Sequence, residues 1–181
     1  MRHWIEQGPI AVLVGLCAVV ALSSCVASRD DSRFTTVILV RHAEKDSVGD
    51  DPVLTEGGIE RARSLAHVLG ETNVSAIYAT PYNRTRQTAE PLADRLGVDV
   101  FELDASAEYV QAMVDLIRSE HVGETVVVVS HSNTVPAIIA ALGAGPAPSI
   151  DEDEYDDLFV VTVDDEGEAG LLALRYGAET P

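Results

Sequence analysis

Thr125-Val126-Val127-Val128-Val129-Ser130-His131-Ser132-Asn133-Thr134 is the stretch whose reading decides the fold class. An unbroken run of valines has no period-two alternation, so it reads as a short strand covered on both faces rather than half-exposed. A few polar residues follow. Thr134 to Leu142 then reads as an apolar helix closed by Gly143. A doubly covered strand that runs through a short polar loop into a helix is the repeating unit of a parallel α/β sheet.

The unit recurs on both sides of that stretch. Thr36 to Val40 is a second short β-branched run. Thr55 to Leu69 is predicted as a helix with Thr55 as N-cap and Ile59, Ala62, Ala66 and Leu69 on one face; Gly57 and Gly58 weaken its first turn. Ala76 to Ala79 reads as a strand and Asn83 to Leu96 as a helix stopped by Gly97. Val98 to Leu103 reads as a strand, and Ser106 to Ser119 as a helix with Val110, Met113, Val114 and Ile117 inward. Leu158 to Val163 and Leu171 to Tyr176 form a terminal hairpin across Asp164-Asp165-Glu166-Gly167. The alternation predicts a three-layer α/β/α sandwich with a mostly parallel central sheet. Gly143 to Asp157 reads as a loop whose acidic run, Asp151 to Asp157, is a solvated face.

Ligands of such sheets bind beyond the carboxyl ends of the strands. Three polar clusters fall there: Arg41-His42 after the first strand, Thr80 to Arg84 after the second, and Ser130 to Asn133 after the valine run. Arg84 opens a helix, where a cation is unfavourable by dipole logic unless it and the helix N-terminus hold an anion together. Two arginines and two histidines, His42 and His131, therefore converge on one rim, which packing alone does not require.

The chain of 181 residues is long enough for one well-buried domain, and its 46% hydrophobic and 23% charged residues are a globular composition. A formal charge of −18 argues against a nucleic-acid groove or an anionic membrane surface as partner, because both reward basic patches. A phosphate site on such a protein has to be locally basic. The only cysteines are Cys17 and Cys25, both near the N-terminus, so the domain has none for a disulfide, a zinc site or a thiol nucleophile.

The residues from Thr36 to Tyr176 resemble the histidine phosphatase superfamily, also called phosphoglycerate-mutase-like. Arg41-His42-Ala43 is similar to its Arg-His-Gly signature and Leu54-Thr55-Glu56-Gly57-Gly58 to the Leu-Thr-x-x-Gly element. Thr80-Pro81-Tyr82-Asn83-Arg84-Thr85-Arg86-Gln87-Thr88 is similar to the second-arginine element, and His131 stands at the second histidine. The resemblance implies a phosphoglycerate mutase-like fold with His42 as nucleophile and phosphohistidine. It implies that Arg41, Arg84 and His131 bind the phosphoryl oxygens, with no metal and no cofactor. Independent chemistry agrees, since phosphoryl transfer asks mainly for positioning and charge stabilisation, and arginine supplies planar bidentate donors.

Two positions depart from the pattern. Ala43 replaces glycine, which is tolerable unless φ is positive there. Ser132 follows the second histidine where one branch of the family has an aspartic acid donor. In the other branch the donor is a carboxylate some two dozen residues past the second arginine, and Glu108 stands there; it reads equally as a favourable acid in a first helical turn. Glu44 is a weaker candidate.

The N-terminus is a separate object. Ile10 to Leu22 is an apolar run of signal-peptide length, short of the roughly 20 residues a membrane span needs. Leu22-Ser23-Ser24-Cys25 is similar to a bacterial lipobox. Residues 1–24 are thus expected to be a lipoprotein-type signal peptide, Cys25 the lipidated residue, 25–34 a tether and 35–177 the phosphatase domain. An ordinary secretory signal or an uncleaved membrane helix are the alternatives. The expected protein is an extracytoplasmic, membrane-anchored phosphohydrolase of the cell envelope. It would act on a small phosphorylated substrate or a phosphoprotein, including phosphohistidine, and would bind no nucleic acid. A phosphoglycerate mutase-type phosphotransferase is one alternative. Against it, the segment between the third strand and His131 is short, and Ala43-Glu44-Lys45-Asp46 departs from the stretch that follows Arg-His-Gly in the mutases. A non-catalytic envelope protein that binds phosphate esters is the other.

Overall fold

The computed structural model describes residue 1, residues 34–146 and residues 148–180. Apart from Met1, the expected signal peptide, Cys25 and all of the tether before Phe34 lie outside the described residues. Ten elements follow in order: β1 (Thr35–Arg41), α1 (Glu56–Leu69), β2 (Val74–Ala79), α2 (Asn83–Leu96), β3 (Val100–Glu102), α3 (Tyr109–Glu120), β4 (Thr125–Ser130), α4 (Thr134–Leu142), β5 (Asp157–Val163) and β6 (Ala169–Arg175). They build one sheet in the order β3-β2-β4-β1-β5-β6. β3, β2, β4 and β1 are parallel, while β5 runs antiparallel to β1 and β6 to β5. The valine run of β4 lies between β2 and β1, at the middle of the parallel part.

Strand periodicity sorts the core into two layers. Val37, Leu39, Val126 and Val128 pack with Met113, Ile117, Ile138 and Ile139 of α3 and α4. Ile38, Val40, Val127 and Val129 pack with Leu65, Leu69 and Leu92 of α1 and α2 on the other face. Both faces of β1 and β4 are covered, which is why their sequences do not alternate.

Helix α1 shows how local rules place the rim beyond the strand ends. Thr55 caps it as expected, its hydroxyl accepting from the Gly58 N–H at 3.1 Å. Ile59, however, is 43% exposed, and the buried stripe is Gly58, Arg61, Ala62, Leu65, Ala66 and Leu69. The cause is the buried Arg61. Its Nε donates to both Glu44 carboxylate oxygens at 3.0 Å, its Nη2 donates at 2.7 Å, and its Nη1 donates to the Tyr176 carbonyl at 2.9 Å. A cation in the core rotates the helix so that its charge meets its partners, and Ile59 turns outward.

Gly58 is required rather than merely tolerated. A Cβ there would stand 2.1 Å from the Glu44 carbonyl oxygen, in the segment that carries His42. Gly58→Ala is expected to destabilise the protein by about 1–3 kcal/mol, the range for overpacking a rigid contact. Urea unfolding checks this; an unchanged midpoint would show that the Glu44 backbone yields freely.

The remaining differences are of extent. α3 begins at Tyr109, not Ser106, and β3 covers only Val100–Glu102. The acidic loop is not uniformly solvated. Asp156 and Asp157 are buried beside Arg175, whose Nη1 lies 2.7 Å from one and 3.3 Å from the other. Burial, with Glu154 next in effect, pushes the Asp157 carboxyl up to about 6 against the attraction of Arg175. Among the described residues no helix is long and apolar enough to cross a membrane.

Candidate active site

Three parallel strands end at the same level. Arg41 pairs with Ser130 in the β1–β4 register and Ala79 with Val129 in the β2–β4 register. The residues just beyond those ends, His42, His131 and Thr80, are therefore brought together. The ladder continues one step further, with the His42 N–H donating to the Ser130 carbonyl at 2.9 Å. The His42 and His131 ring centroids are 5.5 Å apart.

The hydrogen bonds set the orientation of His42. Its Nδ1 lies 2.9 Å from the Ala43 carbonyl oxygen, which can only accept. Nδ1 therefore carries the hydrogen and Nε2 keeps its lone pair. The ring is buried. Burial foremost, then the nearby His131, Arg41 and Arg84, lower its pKa to about 3, although the bond to Ala43 works the other way. The imidazole is thus neutral throughout the physiological range, as a nucleophile must be.

His131 is similarly neutral, lowered to about 4 by burial first and then by Arg84 and Arg41. Its Nε2 lies 3.0 Å from the Thr80 hydroxyl. Thr85 uses its one hydroxyl hydrogen on the carbonyls of Thr80 and Tyr82, so toward Thr80 it accepts, at 2.9 Å. Thr80 then donates to Thr85 and accepts from His131 Nε2–H. The buried threonine pair fixes the His131 ring.

Arg41 and Arg84 both stand close enough to the histidines to act on their charge. The Arg41 Nη1 donates to the carbonyls of Asp151 and Glu154 at 2.7 and 2.9 Å, and its guanidinium carbon lies 4.1 Å from the Tyr155 ring centroid. The Arg84 guanidinium lies 4.2 Å from the Tyr82 ring centroid, with its Nη1 3.8 Å from an Asp51 carboxylate oxygen. Among the described residues the Nε of each arginine is buried without a hydrogen-bond partner. A buried charged donor without an acceptor is costly, and an anion's oxygens would relieve it. Both rings also stand near the histidines, Tyr155 at 6.2 Å from His42 and Tyr82 at 5.6 Å from His131.

A cleft of about 260 Å³ opens here, lined by Tyr82, Arg84, Ser106, Tyr109, His131 and Asn133 among others. A larger hollow of about 700 Å³ is lined by Glu154, Asp156, Arg175 and Tyr176 among others. Of its carboxylates, Glu154 and Asp156 are engaged by Arg175, and Glu179 is exposed.

Not all the expected residues meet in the cleft. Arg84 and His131 line it, His42 adjoins it with its ring centroid 5.5 Å from that of His131, and Arg41 is close enough to both histidines to lower their pKa. Glu108 is exposed at the N-cap position of α3, makes no capping hydrogen bond and is not part of the cleft wall, although Ser106 and Tyr109 are. Glu44 is held by Arg61; burial alone would raise its carboxyl, but those hydrogen bonds hold it below the usual range, and an ionised carboxylate is no proton donor. Ala43 fits, because among the described residues no non-glycine has a positive φ. Its N–H donates to Thr88 Oγ1 at 2.9 Å, and that hydroxyl donates to the Arg84 carbonyl at 2.7 Å, tying the first signature to the second. Tyr155 and the carbonyls of Asp151 and Glu154 were not anticipated. They lie more than a hundred residues from Arg41, and backbone acceptors leave no mark on sequence.

Comparison with known proteins agrees with this arrangement. The model of the histidine phosphatase superfamily (branch 1) matches residues 37–109, which include Arg41, His42 and Arg84. Phosphoserine phosphatase 1 of Hydrogenobacter thermophilus is 35% identical over 95 residues, covering 49% of this chain and 45% of that protein. A second curated relative, from Schizosaccharomyces pombe, is 32% identical over 77 residues, covering 38% of this chain and 27% of its own length. The chain thus spans less than half the length of the curated relatives it matches. Among solved structures, the protein histidine phosphatase SixA complexed with tungstate superposes with a TM-score of 0.64 at 19% identity, covering 77% of this chain and 96% of that one. A mycobacterial glucosyl-3-phosphoglycerate phosphatase superposes with a TM-score of 0.63 at 18% identity, covering 81% of this chain and all of that one. The protein has the α/β fold of the histidine phosphatases and, over residues 37–109, the sequence pattern of their branch 1.

Proposed function

We propose that this protein is a phosphohydrolase that acts through a phosphohistidine on His42. The observation that carries the reading is the neutral, buried His42 ring, with Nδ1 committed to Ala43 and Nε2 without a partner among the described residues, near two arginines whose buried Nε donors have no acceptor among those residues. Nε2 attacks phosphorus and the ester oxygen leaves with the electron pair of the broken P–O bond, protonated from solvent or from a group of the substrate. Water then attacks the phosphohistidine, the P–N bond breaks, and inorganic phosphate departs. Arg41 and Arg84 hold the charge that spreads over the phosphoryl oxygens, and His131 joins them when the bound dianion draws a proton onto its Nδ1. Each step is easier than direct displacement by water. The exposure of Glu108 and the pairing of Glu44 with Arg61 support substrates whose leaving group needs little protonation, such as an aryl oxide or a phosphohistidine imidazole.

The tag-free domain is expected to release phosphate from p-nitrophenyl phosphate, and chelator is expected to leave that activity intact, because the site's histidines serve as nucleophile and oxyanion partner. Loss of activity in chelator that a divalent metal restores would replace this mechanism with a metal-assisted one.

The lipobox-like Leu22-Ser23-Ser24-Cys25 supports a lipid anchor outside the cytoplasm. In a bacterial envelope host, Cys25→Ser is expected to release the protein from the membrane fraction or to block its processing. Undiminished membrane retention of the variant would count against lipidation.

A further inference from the structure

The segment that leads into β5 is built around Arg41. The Arg41 Nη1 donates to the Asp151 carbonyl at 2.7 Å and to the Glu154 carbonyl at 2.9 Å, which uses both of its hydrogens. The Tyr155 ring covers the guanidinium, its centroid 4.1 Å from the central carbon. With Nη1 spent, the edge formed by Nε and Nη2 is left. Among the described residues neither of those atoms meets an acceptor, and Nε is buried. That edge is a side-on fork that matches two oxygens of a phosphoryl group. The loop therefore decides which edge of Arg41 is left for an anion.

The loop is held in turn from the last strand. The Glu154 carboxylate accepts the Asp151 N–H at 3.1 Å on one oxygen and meets the Arg175 Nη2 at 2.7 Å on the other. The Arg175 Nη1 also lies 2.7 Å from Asp156 and 3.3 Å from Asp157. The Tyr155 N–H donates to the Thr180 hydroxyl, which donates to Asp156. Every residue of β6 after Ala169 is exposed, so Arg175 serves these contacts rather than core packing.

Resting on the phosphohydrolase reading, we infer that Arg175, with Thr180 beside it, is a positioning residue for catalysis: through Glu154 it holds the loop that commits the Nη1 of Arg41 and leaves the Nε–Nη2 edge to the phosphoryl group. Without its charge, the carboxylates of Glu154, Asp156 and Asp157, all within 3.3 Å of one guanidinium, repel one another and the loop opens. Arg41 then loses two acceptors and a ring together. Its donors are no longer preorganised, and the reorganisation falls on each turnover.

In the full chain, Arg175→Gln is expected to lower kcat/KM for p-nitrophenyl phosphate by about ten- to a hundredfold, the scale of a displacement of about 1 Å caused far from the chemistry. Arg175→Lys should recover only part of it, because a point charge cannot span Glu154 and Asp156 together. A loosened fold would also lower activity, so the deciding measurement is a double-mutant cycle with Arg41→Ala, read in kcat/KM and in the affinity for inorganic phosphate by calorimetry. If Arg175 acts through Arg41, Arg175→Gln costs nothing further once Arg41 is gone. Equal losses with and without Arg41, or no loss in either background, would overturn the proposal. Where Arg175→Gln does not fold, Thr180→Val takes its place under the same criterion, with Thr180→Ser as the rescue that restores the hydroxyl. Coupling in phosphate affinity by a protein that turns over no ester would strike the phosphohydrolase reading alone. Turnover with additive losses would strike the positioning proposal alone.

Discussion

A denaturing quench of the wild-type enzyme during turnover is expected to trap an acid-labile, base-stable phosphoramidate on His42, and His42→Ala should abolish both the label and turnover. Because the ring is buried, truncation to alanine leaves a void. His42→Asn is the better control, since a carboxamide N–H can still reach the Ala43 carbonyl that Nδ1 contacts at 2.9 Å. A folded His42→Asn protein that kept full activity would remove His42 as the nucleophile. The same variants carry a pH signature. His42 titrates at about 3 in the folded protein and near 6.5 in the unfolded chain. Between those values the unfolded chain binds a proton that the folded one refuses, so stability rises with pH there and is lost as pH falls from about 6.5 toward 3. His42→Asn lacks that group and should lose less stability on acidification than the wild type. Equal acid sensitivity would mean that His42 is not held neutral.

The parallel sheet, its helices and the four central residues were legible because each rests on a local pattern. The valine run of β4 is unbroken because both faces are covered. Arg41-His42 and Ser130-His131 fall at strand ends because strands in such sheets are short and end where the ladder ends. What sequence did not disclose depends on contacts far along the chain. Ile59 satisfies helical periodicity as well as Leu65 does, and only the pairing of Arg61 with Glu44 and the Tyr176 carbonyl decides which stripe turns inward. The run Asp151 to Asp157 looks like a solvated face, yet Asp156 is buried against Arg175 and Thr180. The Tyr155 N–H also donates to Thr180, at 3.2 Å. The C-terminal residues thereby fix the loop that presents two carbonyls and a tyrosine ring to Arg41. Composition marks such a segment as exposed because composition carries no information about its partners. Glu108 shows the converse, a sequence spacing that says nothing of the side chain's surroundings. Its distance along the chain from Arg84 suits a proton donor, but α3 starts three residues later than periodicity suggests, and the side chain is left in solvent.

Arg84 supports the second large effect. Its guanidinium carbon lies 4.2 Å from the Tyr82 ring centroid, its side chain is 16% exposed, and its buried Nε has no partner among the described residues. A planar donor held by a ring on one face needs little reorganisation when charge develops on the phosphoryl oxygens, which is where preorganised donors contribute most. Arg84→Ala keeps the nucleophile, because His42 draws its orientation from Ala43 and Ser130, and should still form phosphohistidine, but slowly. The expected loss in kcat/KM is about 10² to 10³, the cost of removing one oxyanion donor. Arg84→Lys should recover only part of it, since a point charge cannot reproduce the bidentate fork or the stacking on Tyr82. The substitution also withdraws one of the cations that keep His131 neutral, so the His131 pKa should rise from about 4 toward its ordinary value. An NMR titration of His131 in Arg84→Ala measures that shift directly. If activity fell while His131 titrated unchanged, the electrostatic coupling between the two residues would be refuted. If activity were undiminished, Arg84 would have no part in holding the phosphoryl group.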